Sequence, residues 1–164
     1  MTTPHHTPSP NSPLPAVESG LQHYLTTLRI QPSQLVLAMP FYGYDIPCQA
    51  GGDPGACALA GSWSNTAFQT SYATILRELL PSAIGGASRW NASAASPYFD
   101  YAGRAGQRHR VFYDNPKSIG LKVALARRLG LGGVSVWTAD CLPYGADPGA
   151  AAAMWAALAW KPRQ

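Results

Sequence analysis

The chain has 164 residues, a formal net charge of +4 and 12% charged side chains, about half the usual share of roughly 25%. Its 46% hydrophobic content supports one core and excludes a wholly disordered chain, a coiled coil or two sizeable domains. No apolar run reaches the length of about 18 residues that a membrane helix needs, so no membrane partner is expected, and the positive balance reflects few acids (8) more than many bases (12).

The chain opens with five prolines in its first fifteen residues. Without a charged start and an apolar stretch it is not a signal peptide, and residues 1–15 read as a disordered leader. His5 and His6 stand there side by side, a poor metal site without further ligands; no metal or cofactor is expected. Residues 17–30 have helical spacing, with Leu21, Tyr24, Leu25 and Leu28 on one face, and Pro32 bars continuation. The apolar run 34–41 suits a buried parallel strand, ending at Tyr42, Gly43, Tyr44 and Asp45.

Residues 45–110 are rich in Gly, Ala and Ser and read as an α+β insertion. Within them, 71–80 reads as a helix stopped by Pro81, and 96–101 pairs with 110–113 as a hairpin across a glycine-containing turn. Arg104, Arg108, His109 and Arg110 cluster without any nucleic-acid reader motif nearby; they read as a solvated hairpin rim, and no nucleic acid is expected. Asn115 and Pro116 are a good cap and first residue for a helix running to about Leu129. Ile119, Val123, Ala126 and Leu129 face inward, and Gly130 ends it. Asp114 reads as a turn residue before that cap. Residues 132–137 form a second buried strand, and Asp147 caps a final helix over 149–160. The tail is 161–164.

The order helix, strand, insertion, helix, strand, helix is that of a parallel α/β unit. Both strands deliver polar and aromatic residues at their C-terminal ends, Tyr42 and Tyr44 from one and Trp137 and Asp140 from the other. Parallel α/β folds bind ligands at that edge. Cys48 and Cys57 flank a short loop whose spacing suits a small disulfide ring, while Cys141 makes the count odd. Asn91, Ala92 and Ser93 form a glycosylation sequon, relevant if the chain enters the secretory pathway.

The segments LVLAMPFYGYDIPC and VFYDNPKSIGLKVALARRLGLGGVSVWTADCL resemble the family 18 glycoside hydrolases, especially their chitobiase branch, over roughly residues 12–144. The resemblance implies a TIM (β/α)8 fold in which 35–41 and 132–137 are the last two strands. A complete barrel takes at least about 200 residues, so the expectation is a C-terminal barrel fragment. Trp137 would be the floor of a sugar subsite, Tyr42 and Tyr44 its wall and Asp140 a ligand to sugar hydroxyls. Cys48 and Cys57 match cysteine positions of the chitobiase branch. The implied partner is an N-acetylglucosamine-containing oligosaccharide, and the implied location lysosomal or extracellular.

The family's acid sits in a D-x-x-D-x-D-x-E motif, which the sequence lacks. Its glutamates are Glu18 and Glu78, neither at a strand's C-terminal edge. No catalytic residue is therefore assigned. The readings that remain are a chitobiase-like chain inactive by itself, a non-catalytic sugar binder, and a product that is unfolded or needs a partner to supply missing strands.

Overall fold

The computed structural model describes residues 8–50, 57–60 and 67–160. His5, His6, most of the Cys48–Cys57 loop and the tail lie outside the described residues. From Pro8 onward the N-terminal segment is not a solvated leader. Pro8 and Pro10 are buried, and the Leu14 amide donates to Ala94 O at 2.9 Å. Helix α1, Leu14–Gln22, starts earlier than its apolar spacing suggests because Pro13 is extended and Pro15 suits the first turn.

That helix runs into wider π turns over His23–Thr27. Bonds to the fifth residue break the 3.6 periodicity, and the expected apolar face is lost with it: Leu21 is buried while Tyr24 and Leu28 are exposed. Strand β1, Val36–Pro40, and strand β7, Gly133–Trp137, form a two-stranded parallel sheet, with Val36 opposite Gly133 and Pro40 opposite Trp137. Gly132 permits the entry into β7: a Cβ there would lie 2.1 Å from Ser33 O.

Two helices cover one face of this sheet. They are α3, Pro116–Arg128, and α4, Pro148–Ala157. Leu37, Met39, Phe41, Val134 and Val136 pack there against Ile119, Val123, Ala151 and Met154. Both strands read as buried on two faces, because their apolar runs are continuous. Among the described residues the second face is covered only in part, near Pro40, and Val36 and Trp137 are exposed there, at 58% and 66%.

The chain kinks at Phe41, whose amide donates to Trp137 O and whose carbonyl accepts from the Tyr72 amide. It then enters a five-stranded antiparallel sheet of order β3-β2-β6-β5-β4. These strands are β2 Tyr42–Pro47, β3 Phe68–Ser71, β4 Arg89–Asn91, β5 Ser96–Ala102 and β6 Arg108–Phe112. This sheet begins at Tyr42, so Tyr42 and Tyr44 belong to β2 and not to the tip of the parallel strand. Helix α2, Tyr72–Thr74, is capped by Ser71 and continues as π turns Ile75–Leu79 and a 3-10 turn Leu80–Ser82. Pro81 sits inside that last turn instead of stopping the helix before it. The β5–β6 hairpin pairs Tyr98 with Phe112 and Ala102 with Arg108, and its turn uses Gly106 at φ 76°.

The caps follow local chemistry. Asn115 Oδ1 accepts from the Ser118 amide and Ser118 Oγ from the Asn115 amide, a reciprocal pair. Asp147 Oδ1 accepts from the Ala150 amide. No helix of the described residues is long and apolar enough to cross a membrane.

Of the basic residues read as a solvated hairpin rim, Arg104 is exposed, while Arg108, His109 and Arg110 are partly or fully buried. Buried Asp100 accepts from Arg110 Nε at 2.7 Å and Nη2 at 3.0 Å, and from Arg108 and Arg89 at 2.8 Å each. Burial pushes its carboxyl upward, but the hydrogen bonds and charges of Arg110 and Arg108 outweigh that and hold it below 3.8. A depressed carboxyl stabilises the fold above its unfolded pKa and loses that contribution as pH falls through the folded one. Asp100→Asn is therefore expected to cost about 2 kcal/mol at neutral pH and to flatten the acid limb of stability. Urea melts from pH 7 to 3 measure this; a variant with the wild-type acid slope would contradict it.

Candidate functional site

The C-terminal ends of β1 and β7 open onto a recess of about 230 Å³, lined by Asn11, Ser12, Ala38, Met39, Pro40, Tyr42 and Trp137. Strand pairing dictates this arrangement. Pro40 and Trp137 are register partners at the last rung, and the kink at Phe41 turns β2 so that Tyr42 stands beside them. Trp137 is the most exposed large apolar side chain among the described residues. Its indole offers a flat apolar face and one N–H donor.

Tyr44 lies one pleat further along β2. Its ring meets Tyr42 edge-to-face at 5.9 Å and packs over Ile46, Leu59 and Phe112. Burial, and then the neighbouring Tyr42, push its hydroxyl above 10.0, so it remains a neutral donor at physiological pH. The structure therefore brings Trp137 and Tyr42 together and sets Tyr44 behind Tyr42. It does not bring Asp140 to the recess: that residue is exposed on the 3-10 turn Ala139–Cys141. The Cys48 and Cys57 sulfurs are at bonding distance, with 5.0 Å between the Cα atoms, and Cys141 is free. Asn91 ends β4 away from the recess, its Oδ1 accepting from Ser93 Oγ and the Ala94 amide.

No charged side chain lines the recess among the described residues. Glu18 pairs with Arg128 at 2.8 Å and Glu78 with its neighbour Arg77. The recess can thus stack on and hydrogen-bond a neutral ring, but it presents no group to protonate a leaving oxygen. No group of three metal-ligating side chains occurs among the described residues.

Two polar clusters escape a reading by spacing. Behind the recess, buried Lys122 donates from Nζ to Asp114 Oδ1 and to Ser12 Oγ, each at 2.6 Å. Ser12 Oγ donates to Asp114 Oδ2 at 3.2 Å. Asp114 is thus a buried ion-pair partner and not merely a turn residue. The signal was a lysine three residues from Ile119, on the apolar side of α3. In the insertion, Tyr101 Oη donates to Asp45 Oδ2 at 2.6 Å and His109 Nδ1 lies 2.9 Å from Asp45 Oδ1. Burial, then that bond to Asp45, push the Tyr101 hydroxyl far upward. His109 and Tyr101 border a second hollow of about 620 Å³ that also takes in Glu78, Arg104 and Gln107.

The profile of the family described as "Glycosyl hydrolases family 18" matches residues 1–141. The chain belongs to glycoside hydrolase family 18. This family 18 chain is 36% identical over 144 residues to di-N-acetylchitobiase of Rattus norvegicus, covering 84% of the chain and 38% of that relative. With di-N-acetylchitobiase of Homo sapiens the identity is 33%, covering 84% and 37%. The chain thus spans about two fifths of the length of these curated relatives. Its fold superposes on a chitinase from Chromobacterium violaceum with a TM-score of 0.67 at 24% identity, covering 98% of the chain and 43% of the other. On human YKL-39, described as a pseudo-chitinase with retained chitooligosaccharide binding properties, the TM-score is 0.71 at 19% identity, covering 94% and 46%.

Proposed function

We propose that the recess beside Trp137 binds chitooligosaccharides, sugars of the di-N-acetylchitobiose class, and that the 164-residue chain binds them without cleaving them. The observation that carries this reading is the exposed indole of Trp137 next to Tyr42 in a recess free of charged side chains among the described residues. Burying a pyranose face on an indole removes apolar area from water, and the surrounding hydroxyl and amide groups satisfy the sugar's polar rim. The family membership and the chitobiase relatives support the ligand class. The pseudo-chitinase illustrates that binding and hydrolysis separate on this fold.

The chemistry of the chain supports the absence of cleavage. Family 18 hydrolysis is assisted by the substrate's own acetamido group and still needs an enzyme acid, and the D-x-x-D-x-D-x-E series that carries it does not occur in this sequence. Lacking a positioned acid alone forfeits a factor of about 10²–10⁴. The purified chain, incubated with chitotriose, is expected to release no N-acetylglucosamine above a heat-killed control by mass spectrometry, yet to bind the sugar by calorimetry. Release of product would overturn the non-catalytic half; no heat of binding would overturn the other.

A second reading is a glycosidase completed by a partner chain. Among the described residues the outer edges of β1 and β7 carry no strand partner, and such edges accept further strands. A last rung that already carries Trp137 would then meet an acid from elsewhere. The Cys48–Cys57 pairing favours an oxidising compartment, lysosomal or extracellular, over the cytosol.

A further inference from the structure

We propose that the N-terminal segment is the selectivity wall of the recess: Asn11 supplies the amide that recognises the acetamido group of the sugar, and the buried Lys122–Asp114 pair, acting through Ser12, is its positioning device. This rests on the reading that the recess binds such sugars.

Three observations converge. The first is the ion pair itself. Lys122 and Asp114 side chains are 2% and 4% exposed. Burying two charges is a poor route to stability unless every remaining donor and acceptor is satisfied. Here the third member of the network is Ser12, more than a hundred residues away in sequence. Its hydroxyl accepts from the ammonium and donates to the second carboxylate oxygen, which closes a ring of three hydrogen bonds and orients the hydroxyl.

The second is what that ring immobilises. Ser12 is flanked by Pro10, which is buried, and by Pro13, which leads into α1 with the Leu14 amide bonded to Ala94 O. Prolines restrict φ, so a stretch pinned at residues 10, 12 and 14 leaves the intervening Asn11 little freedom. The third is Asn11 itself. It lines the recess together with Trp137, and its amide has no hydrogen-bond partner among the described residues. An amide offers a donor pair and an acceptor side by side, the complement of the N–H and C=O of an acetamido group. The Lys122 and Asp114 charges cancel each other, so the wall carries no net charge that would favour a glucosamine cation or a uronate.

The test compares N,N′-diacetylchitobiose with cellobiose, which has the same β-1,4 skeleton without acetamido groups, by calorimetry on the full chain. The wild type is expected to prefer diacetylchitobiose by about ten-fold or more, the value of one well-made hydrogen-bond pair. Asn11→Ala should bring the two affinities together by weakening only diacetylchitobiose, with an unchanged melting temperature. Ser12→Ala should do the same by releasing the wall, and Ser12→Thr, which keeps the hydroxyl, should restore the preference. A merely structural role for these residues would weaken both sugars alike. If the wild type binds and Asn11→Ala keeps the full preference, the selectivity wall is overturned and the sugar-binding reading stands. If the wild type binds neither sugar, both fall.

Discussion

Trp137→Ala is expected to abolish measurable binding of chitooligosaccharides, weakening it at least about thirty-fold, as for an aromatic anchor worth about 2 kcal/mol or more. The reasoning is geometric. Trp137 sits at the last rung of the parallel sheet, opposite Pro40, and is 66% exposed, so most of its surface is open to a ligand. For the same reason the substitution should leave stability within about 0.5 kcal/mol of wild type, as surface changes do. Trp137→Phe should retain part of the affinity, since a smaller ring still stacks. Tyr42→Ala should cost less than Trp137→Ala, because Tyr42 is only partly exposed and packs at a right angle to Tyr44. Titration calorimetry with chitotriose settles the order; wild-type affinity in Trp137→Ala would remove the central support for a sugar site at this edge.

Lys122→Met is expected to destabilise the chain by about 3–5 kcal/mol, the cost of leaving a buried carboxylate without its cation. Against a typical total of about 5–15 kcal/mol, that brings the fold close to its limit. Asp114 is 4% exposed, and its second carboxylate oxygen is held by Ser12 of the N-terminal segment. The double variant Lys122→Met, Asp114→Leu should recover much of the loss, because removing both charges removes the burial cost along with the attraction. Urea denaturation of the three proteins gives the comparison. A single variant within 1 kcal/mol of wild type would mean that water reaches the pair and that the network is not the anchor argued for above. The double variant offers a second check: a stable fold whose Ser12 lacks both partners should bind diacetylchitobiose no better than cellobiose.

Most of the element order was legible because it rests on local chemistry. Asn115-Pro116 capped α3, Asp147-Pro148 capped α4 and Gly130 ended α3 where their residue types require. The β5–β6 hairpin followed from an aromatic run, a basic run and a glycine turn. Where the reading departed from the structure, the cause was non-local or a change of helix type. The π turns after Gln22 shift the phase of α1, so Tyr24 and Leu28 face water. The apolar runs of β1 and β7 read as buried on both faces, while the described residues cover the second only in part. Tyr42 and Tyr44 read as the tip of the parallel strand, yet the kink at Phe41 places them in the antiparallel sheet. Arg108 and Arg110 read as solvated, since nothing local shows that both face Asp100.

The amino-acid sequence by itself determined the α/β order, the caps, the resemblance to family 18 and the want of its acid motif, because each depends on residue type and short spacing. Tertiary structure alone decided the recess and its wall. Asn11 and Ser12 meet Trp137, Lys122 and Asp114 across more than a hundred residues, and no period or motif encodes a contact made only when the parallel sheet closes and the N-terminal segment packs over its edge. A buried charge pair needs its partners in space, not in order along the chain, so only the folded protein shows which serine satisfies it.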